Sequence, residues 1–345
     1  MNFMQDESDF LLLMSLNLYH SSSFGNYPYH IHNEGEKARL YGAGIRTSHE
    51  QPPWLLIEPS KGQYDFDYLD SVIRTNRNAG LKSLIQISGW INPAWMPDEW
   101  FAKDMNGNKE VTCISFWNEE AQQHSDNHYQ TMVDHYKDEK DVAFFFGEFQ
   151  GGEGAYNCTW CFRDDAAVQD YKKVYGTDAM PTIDSQETLD WFGKKVVEHF
   201  VRKMEILYPP YHEMWNAQQY LMNTWHKSYG NFVQPEIMKK FHELHPDGTV
   251  VLLQYTYFDS SHDAANAGYV DMLRDISKCE VIAEAMFCDG LVHTTPKAIA
   301  KGFRGQIIHP QRSGFGTEPL DDGMINAIRT SNDLWKANYE NIRSN

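Results

Sequence analysis

Short apolar runs alternate with segments of helical apolar spacing along the whole chain. Runs at 10–18, 43–46, 81–87, 142–146, 249–258, 281–284 and 305–309 read as buried strands, since brief apolar stretches bounded by Gly or polar residues suit strands covered on both faces, and the more polar run 211–220 reads as the fifth strand with the loop beyond it. Between them the spacing predicts helices at 34–41, 118–136, 269–276, 295–301 and 321–339. A further helix carries Phe66, Leu69 and Ile73 and stops at Gly80. Two more lie between the fourth and fifth runs, the second starting near Ser185 or Thr188, and another runs through Phe241. The Pro- and Trp-rich segment 92–108 reads as a long loop, a kind that is usually functional in a compact domain. Eight strand–helix alternations without repeat, low-complexity tract or linker predict an α/β chain: one (β/α)8 TIM barrel over residues 1–345 with long βα loops.

In such a barrel the chemistry gathers at the C-terminal strand ends. The fourth run, Val142 to Phe146, leads through Gly147 to Glu148 and a glycine pair at Gly151 and Gly152. The seventh delivers Glu284. Two carboxylates facing each other across a barrel mouth, roughly 5 Å apart, are what retaining glycoside hydrolysis needs: one protonates the leaving oxygen and the other attacks the anomeric carbon. The nucleophile must stay ionised, which Arg46 at the end of the second run and Tyr255 and Tyr257 on the sixth could ensure. The acid must keep its proton near neutrality, so a raised pKa is expected for Glu148. Glu213 and Asp259 are spare strand-end acids, and Glu58 reads as a structural residue holding its loop.

Composition narrows the partner. Aromatic residues make up 14% of the chain, with 10 Trp, and Trp54, Trp90, Trp95, Trp117, Trp160 and Trp215 fall in or beside strand-end loops, where flat rings suit sugar faces. A formal charge of −18 argues against a nucleic-acid partner, which takes its affinity from Lys and Arg, and leaves neutral glycans compatible. No apolar stretch approaches the roughly 18–20 residues of a membrane span. The acidic start lacks the basic region of a secretory signal, so the expectation is a soluble protein, cytoplasmic or secreted with its signal removed. Five cysteines are an odd number that disfavours a disulfide framework.

Several stretches together resemble the clan of (β/α)8 retaining glycoside hydrolases, and most closely the family 42 β-galactosidases. They are Gly44-Ile45-Arg46, the segment WLLIEPSKGQYDFDYLD from Trp54 to Asp70, GLKSLIQISGWINPAWM at the third strand, HYKDEKDVAFFFGEFQGG at the fourth, and CTWCFRDDAAVQDYKKVYGT followed by ETLDWF. The resemblance covers roughly residues 42–200. It implies Glu148 as acid/base and Glu284 as nucleophile, with Arg46 and a strand-six Tyr steadying the nucleophile. The clan's Asn before the acid/base is Gly147 here, so a hydrogen bond to the sugar 2-hydroxyl must come from elsewhere, Gln150 or Asn216 being candidates. Glu153 is a second candidate acid/base, and no C-terminal domain of the kind usual in family 42 is expected. Cys158 and Cys161, with Cys113, resemble the cysteine cluster that holds structural zinc in some members, although zinc wants four ligands. No cofactor is expected in the chemistry itself.

Two rival readings stand beside this one. His30 and His32 follow the first strand as in metal-dependent amidohydrolases, but that chemistry needs His on strands five and six and Asp on strand eight, where the sequence has Tyr255, Tyr257 and His309. A barrel that binds glycans without cleaving them is the other, kept open by Gly147. The expectation is a retaining β-glycosidase acting on oligo- or polysaccharide, with Trp90, Gln150, Glu153, Trp215, Asn216 and His309 near the sugar.

Overall fold

The computed structural model describes residues 11–15, 33–50, 52–87, 92–103, 106–146, 163–180, 186–207, 213–217, 236–254, 279–285, 288–308 and 320–343. In chain order the elements are β1 (Leu11–Ser15), α1 (Glu34–Ala43), β2 (Thr47–Glu50), the short α2 (Trp54–Ile57), α3 (Asp67–Asn78), β3 (Lys82–Ile87) and the hairpin β4 (Phe101–Lys103) with β5 (Lys109–Ile114). They continue with α4 (Glu119–Tyr136), β6 (Val142–Phe146), α5 (Asp165–Tyr175), α6 (Gln186–Leu207) and β7 (Glu213–Ala217). A helix over residues 236–244, α7, is followed by β8 (Thr249–Gln254), β9 (Cys279–Ala285), α8 (Leu291–Ala300), β10 (Gly305–Ile308) and α9 (Asp322–Arg343).

Eight of the strands pair in the order β1-β10-β9-β8-β7-β6-β3-β2 and close into a ring, every neighbour parallel. Among the described residues a helix follows each ring strand except β8. The predicted helix 269–276, which would complete that set, lies outside the described residues. Two buried clusters hold the helices to the strands. One joins α3, α4 and α6 to β3 and β6 through Ile73, Tyr136, Phe200, Ile85 and Phe144. The other joins α1, α8 and α9 to β9 and β10 through Leu40, Leu291, Trp335, Ala283 and Ile308. Among the described residues no helix is long and apolar enough to cross a membrane.

The second strand departs from expectation. The apolar residues at 43–46 predicted a strand, yet α1 runs through Ala43 and the strand begins at Thr47. Asn33 opens α1 by accepting from the Glu36 N–H at 2.8 Å, and Gly44 closes it at φ 117°, its N–H on the Leu40 and Tyr41 carbonyls. The buried Ala43 and Ile45 serve the helix end and its link. The strand itself, Thr-Ser-His-Glu, is polar and wholly buried, which hid it from an apolar search. Gly44 also lies against α9, where an added Cβ would run into the Asn332 side chain. Gly44→Ala is therefore expected to cost about 2–4 kcal/mol, from the left-handed backbone plus the overlap, as a lowered urea midpoint with unchanged slope.

The long loop expected at 92–108 is also partly structured. It carries a 3₁₀ turn (Asp98–Trp100) and the first strand of the hairpin, whose reversal passes through Gly107 at φ 81°.

Candidate active site

Register puts the C-terminal strand ends at one level. Ile87 of β3 aligns with Phe146 of β6, and Phe146 with Asn216 of β7. On the other side of the ring Glu284 is the penultimate residue of β9, in register with Ile307. β9 is three steps round the ring from β6, so the two strands stand nearly opposite. Glu148 comes two positions after the last residue of β6 and lies outside the described residues. So do Trp90, Gln150, Glu153, Tyr255, Tyr257, His309, Cys158, Cys161, His30, His32, Trp160 and Asp259. Trp215 and Asn216 occupy the third and fourth positions of β7.

Two expected placements are corrected. Arg46 precedes β2, and its guanidinium donates to the Tyr41 and Ile45 carbonyls, both at 2.9 Å, while lying over the Tyr41 ring. That puts it at the N-terminal mouth, roughly 13 Å of strand below the end that carries chemistry, so it cannot steady a nucleophile there. The cause is the shifted strand: Arg46 would end a strand over 43–46, but it comes before one over 47–50. Glu213, held as a spare strand-end acid, is the first residue of β7 and pairs with Thr249, again at the N-terminal end.

The same shift concealed an inward-facing polar residue, His49. Ser48 and Glu50 of β2 look outward, toward α1 and α3. There the buried Lys37 ammonium meets the Glu50 carboxylate at 3.0 Å and also donates to Asn76, while Asn76 donates to Ser83 at 2.9 Å. Strand alternation then turns His49 of β2 and Gln86 of β3 to the barrel interior, His49 in register with Leu84 and Ala143 and Gln86 in register with Phe145, and both are fully buried. The alternation of Thr-Ser-His-Glu was the available signal, masked by the polarity of both faces.

Above the strand ends, Glu58 ties three elements together. It follows α2, is fully buried, and accepts from the Trp54 indole at 2.8 Å, the Gly62 N–H at 2.6 Å and His124 Nε2 at 2.9 Å. A carboxylate only accepts, so His124 donates from Nε2. The Glu58 carbonyl takes the Trp95 indole N–H at 2.9 Å. Burial pushes the Glu58 carboxyl up, but the hydrogen bonds from His124, Gly62 and Trp54 outweigh it and hold the group below its ordinary value. Burial and the nearby Glu58 charge push the Tyr64 phenol well up. The rings of Trp54, Trp95, Trp100, His124 and His128 close around this carboxylate. Glu58 thus has the structural role expected of it.

The structure also sorts the tryptophans. Trp54 is buried with its N–H spent on Glu58. Trp117 stacks on Trp191 at 4.4 Å, and both indoles donate to Asp170, so these two rings are packing residues. Cys113 on β5 is buried, its thiol 3.6 Å from the Ile114 carbonyl. The Arg163 N–H bonds to the Lys103 carbonyl, which brings the chain emerging from the Cys158–Cys161 segment against the hairpin. Among the described residues no group of three or more His, Cys, Asp or Glu could hold a metal, so no described donor set fits zinc.

An eight-stranded parallel ring is the framework of (β/α)8 barrels, whose chemistry gathers at the C-terminal mouth. Comparison with known proteins agrees in the fold. The family model for glycoside hydrolase family 42, described as beta-galactosidase, matches residues 34–166, well under half of the chain. Among solved structures, beta-galactosidase from the psychrophilic Marinomonas ef1 superposes with a TM-score of 0.67 at 13% identity over 97% of this chain and 62% of that one. The beta-galactosidase from the Antarctic haloarchaeon Halorubrum lacusprofundi gives 0.66 at 13% over 94% and 57%, and that from Bacillus circulans sp. alkalophilus 0.66 at 13% over 94% and 55%. The chain thus spans between 55% and 62% of the length of these structures. No curated protein matches it by sequence.

Proposed function

We propose that the chain forms a single (β/α)8 catalytic domain that hydrolyses β-galactoside-like bonds in oligo- or polysaccharide, with retention of anomeric configuration. The observation that carries this reading is the placement of Glu284 one residue from the end of β9, nearly opposite β6, whose continuation carries Glu148. The family match, which includes Glu148, supports it. In this mechanism Glu148 protonates the departing oxygen while the Glu284 carboxylate attacks the anomeric carbon. Glu148 then takes a proton from the water that releases the sugar. No cofactor is needed for either step. With Arg46 at the far mouth, the nucleophile's partners are sought at the C-terminal ends of β8 and β10.

The test is turnover of a panel of aryl β-glycosides and β-linked oligosaccharides, with the anomer of the first-formed product followed by proton NMR. Release of the β-anomer is the expected result; the α-anomer would mean an inverting enzyme and a wider carboxylate separation. Gly147 favours one second reading, a glycan-binding barrel without turnover. A glycan array showing affinity where no sugar is released would establish it.

A further inference from the structure

We infer that Trp95 is a sugar-stacking platform on the rim of the barrel mouth, serving a sugar on the leaving-group side of the scissile bond. This inference rests on the glycoside-hydrolase reading. Of the described tryptophans in the strand-end loops, Trp54 is buried and stacked on His128, and Trp117 is stacked on Trp191, whereas Trp95 is half-buried with only edge-to-face ring contacts. Its N–H is fixed on the Glu58 carbonyl at 2.9 Å. Its ring meets Trp100 at 87° and His124 at 70°, both edge to face, and among the described residues no ring stacks parallel on it. The indole packs against the buried cluster around Trp54 and Trp100 and keeps part of its surface exposed, and that exposed part is what a pyranose C–H face would meet.

Its height follows from α4. Tyr129 donates to the carbonyl of Ile87, the last residue of β3, so it marks the level of the strand ends. His124 lies five residues earlier on a helix that descends from the Asn118 cap to the start of β6, about 7–8 Å above that level. Trp95, with its ring centroid 4.9 Å from that of His124, stands above the bond-breaking level, where a longer substrate continues. The partner is therefore a β-linked oligosaccharide of at least two units. Glu58 and His124 act on it as positioning residues, through Trp95.

The experiment compares kcat/KM of wild type, Trp95→Leu and Trp95→Phe on an aryl β-galactoside and on a β-linked galacto-oligosaccharide. Circular dichroism melts certify folding, and Trp95→Met replaces the Leu variant under the same criterion should that one not fold. Expected is a loss by Trp95→Leu that is roughly three- to tenfold larger on the oligosaccharide than on the aryl substrate, appearing mainly in KM, with Trp95→Phe recovering most of the difference. Equal losses on both substrates, or a Phe variant no better than Leu, overturn the platform and leave Trp95 a packing residue. If wild type hydrolyses no β-glycoside, the enzymatic reading fails and the platform is judged by calorimetry with the oligosaccharide. There Trp95→Leu must weaken affinity by the same factor, and unchanged affinity overturns it.

Discussion

Glu284→Gln is expected to lower kcat on an aryl β-galactoside by on the order of 10⁴-fold or more, and Glu148→Gln by about 10²–10⁴-fold. Glu284→Gln keeps the size of the side chain and removes the anion that must form the glycosyl bond, so both steps fail. Glu148→Gln leaves the nucleophile in place, and a nitrophenyl group departs with little help from an acid. Its loss should therefore be smaller on nitrophenyl substrates than on oligosaccharides, and azide, which needs no general base, should restore turnover of the enzyme-bound sugar. Glu153→Gln should fall far less than either. Stopped assays on the three variants check all of this at once. A dead Glu153 variant with an active Glu148 variant would move the acid/base role five residues along the chain.

Glu58→Ala should be the most destabilising substitution at the mouth, by about 3–5 kcal/mol in equilibrium unfolding. The removed carboxylate satisfies the Trp54 indole, the Gly62 N–H and His124, all in a site closed to water, and Ala leaves those donors buried without an acceptor. The stabilisation also has a defined pH dependence. The folded-state pKa of Glu58 is depressed, so its contribution is fully present above the unfolded-state value and is lost as the pH falls through the folded one. Wild type should thus lose stability on the acid side more steeply than Glu58→Ala. Urea titrations of both proteins across the carboxylate range test the sign.

Most of the architecture was readable because it rests on periodicity. The helix expected over 118–136 is α4 with Asn118 as its cap, and the fourth, seventh and eighth runs appear as β6, β9 and β10. The polar stretch at 211–220 holds β7 at its centre. What misled was polarity in the wrong place. β2 buries the Ser48 hydroxyl and the Glu50 carboxylate on its outer face because Lys37 and Asn76 reach that face from two helices, and no local window contains those partners. The four-residue displacement that followed moved Arg46 from one mouth of the barrel to the other and hid His49. At the site, the loop carboxylate Glu58 was recognisable in sequence, whereas its His124 partner, 66 residues away, was not.

The ring is closed by its most distant members. Leu11 of β1 lies in register with Gly305 of β10, Arg39 of α1 bonds to Asp322 and the Leu320 carbonyl, and Gly44 receives Asn332. During synthesis, therefore, β1 has β2 on one flank and lacks its other neighbour until β10, at Gly305–Ile308, has left the ribosome. A nascent chain in that condition carries two open parallel edges able to recruit foreign strands. The pairing of β1 with β10 is also the one with the greatest loop-closure cost in the ring, so the slow phase of refolding should report the meeting of these two strands.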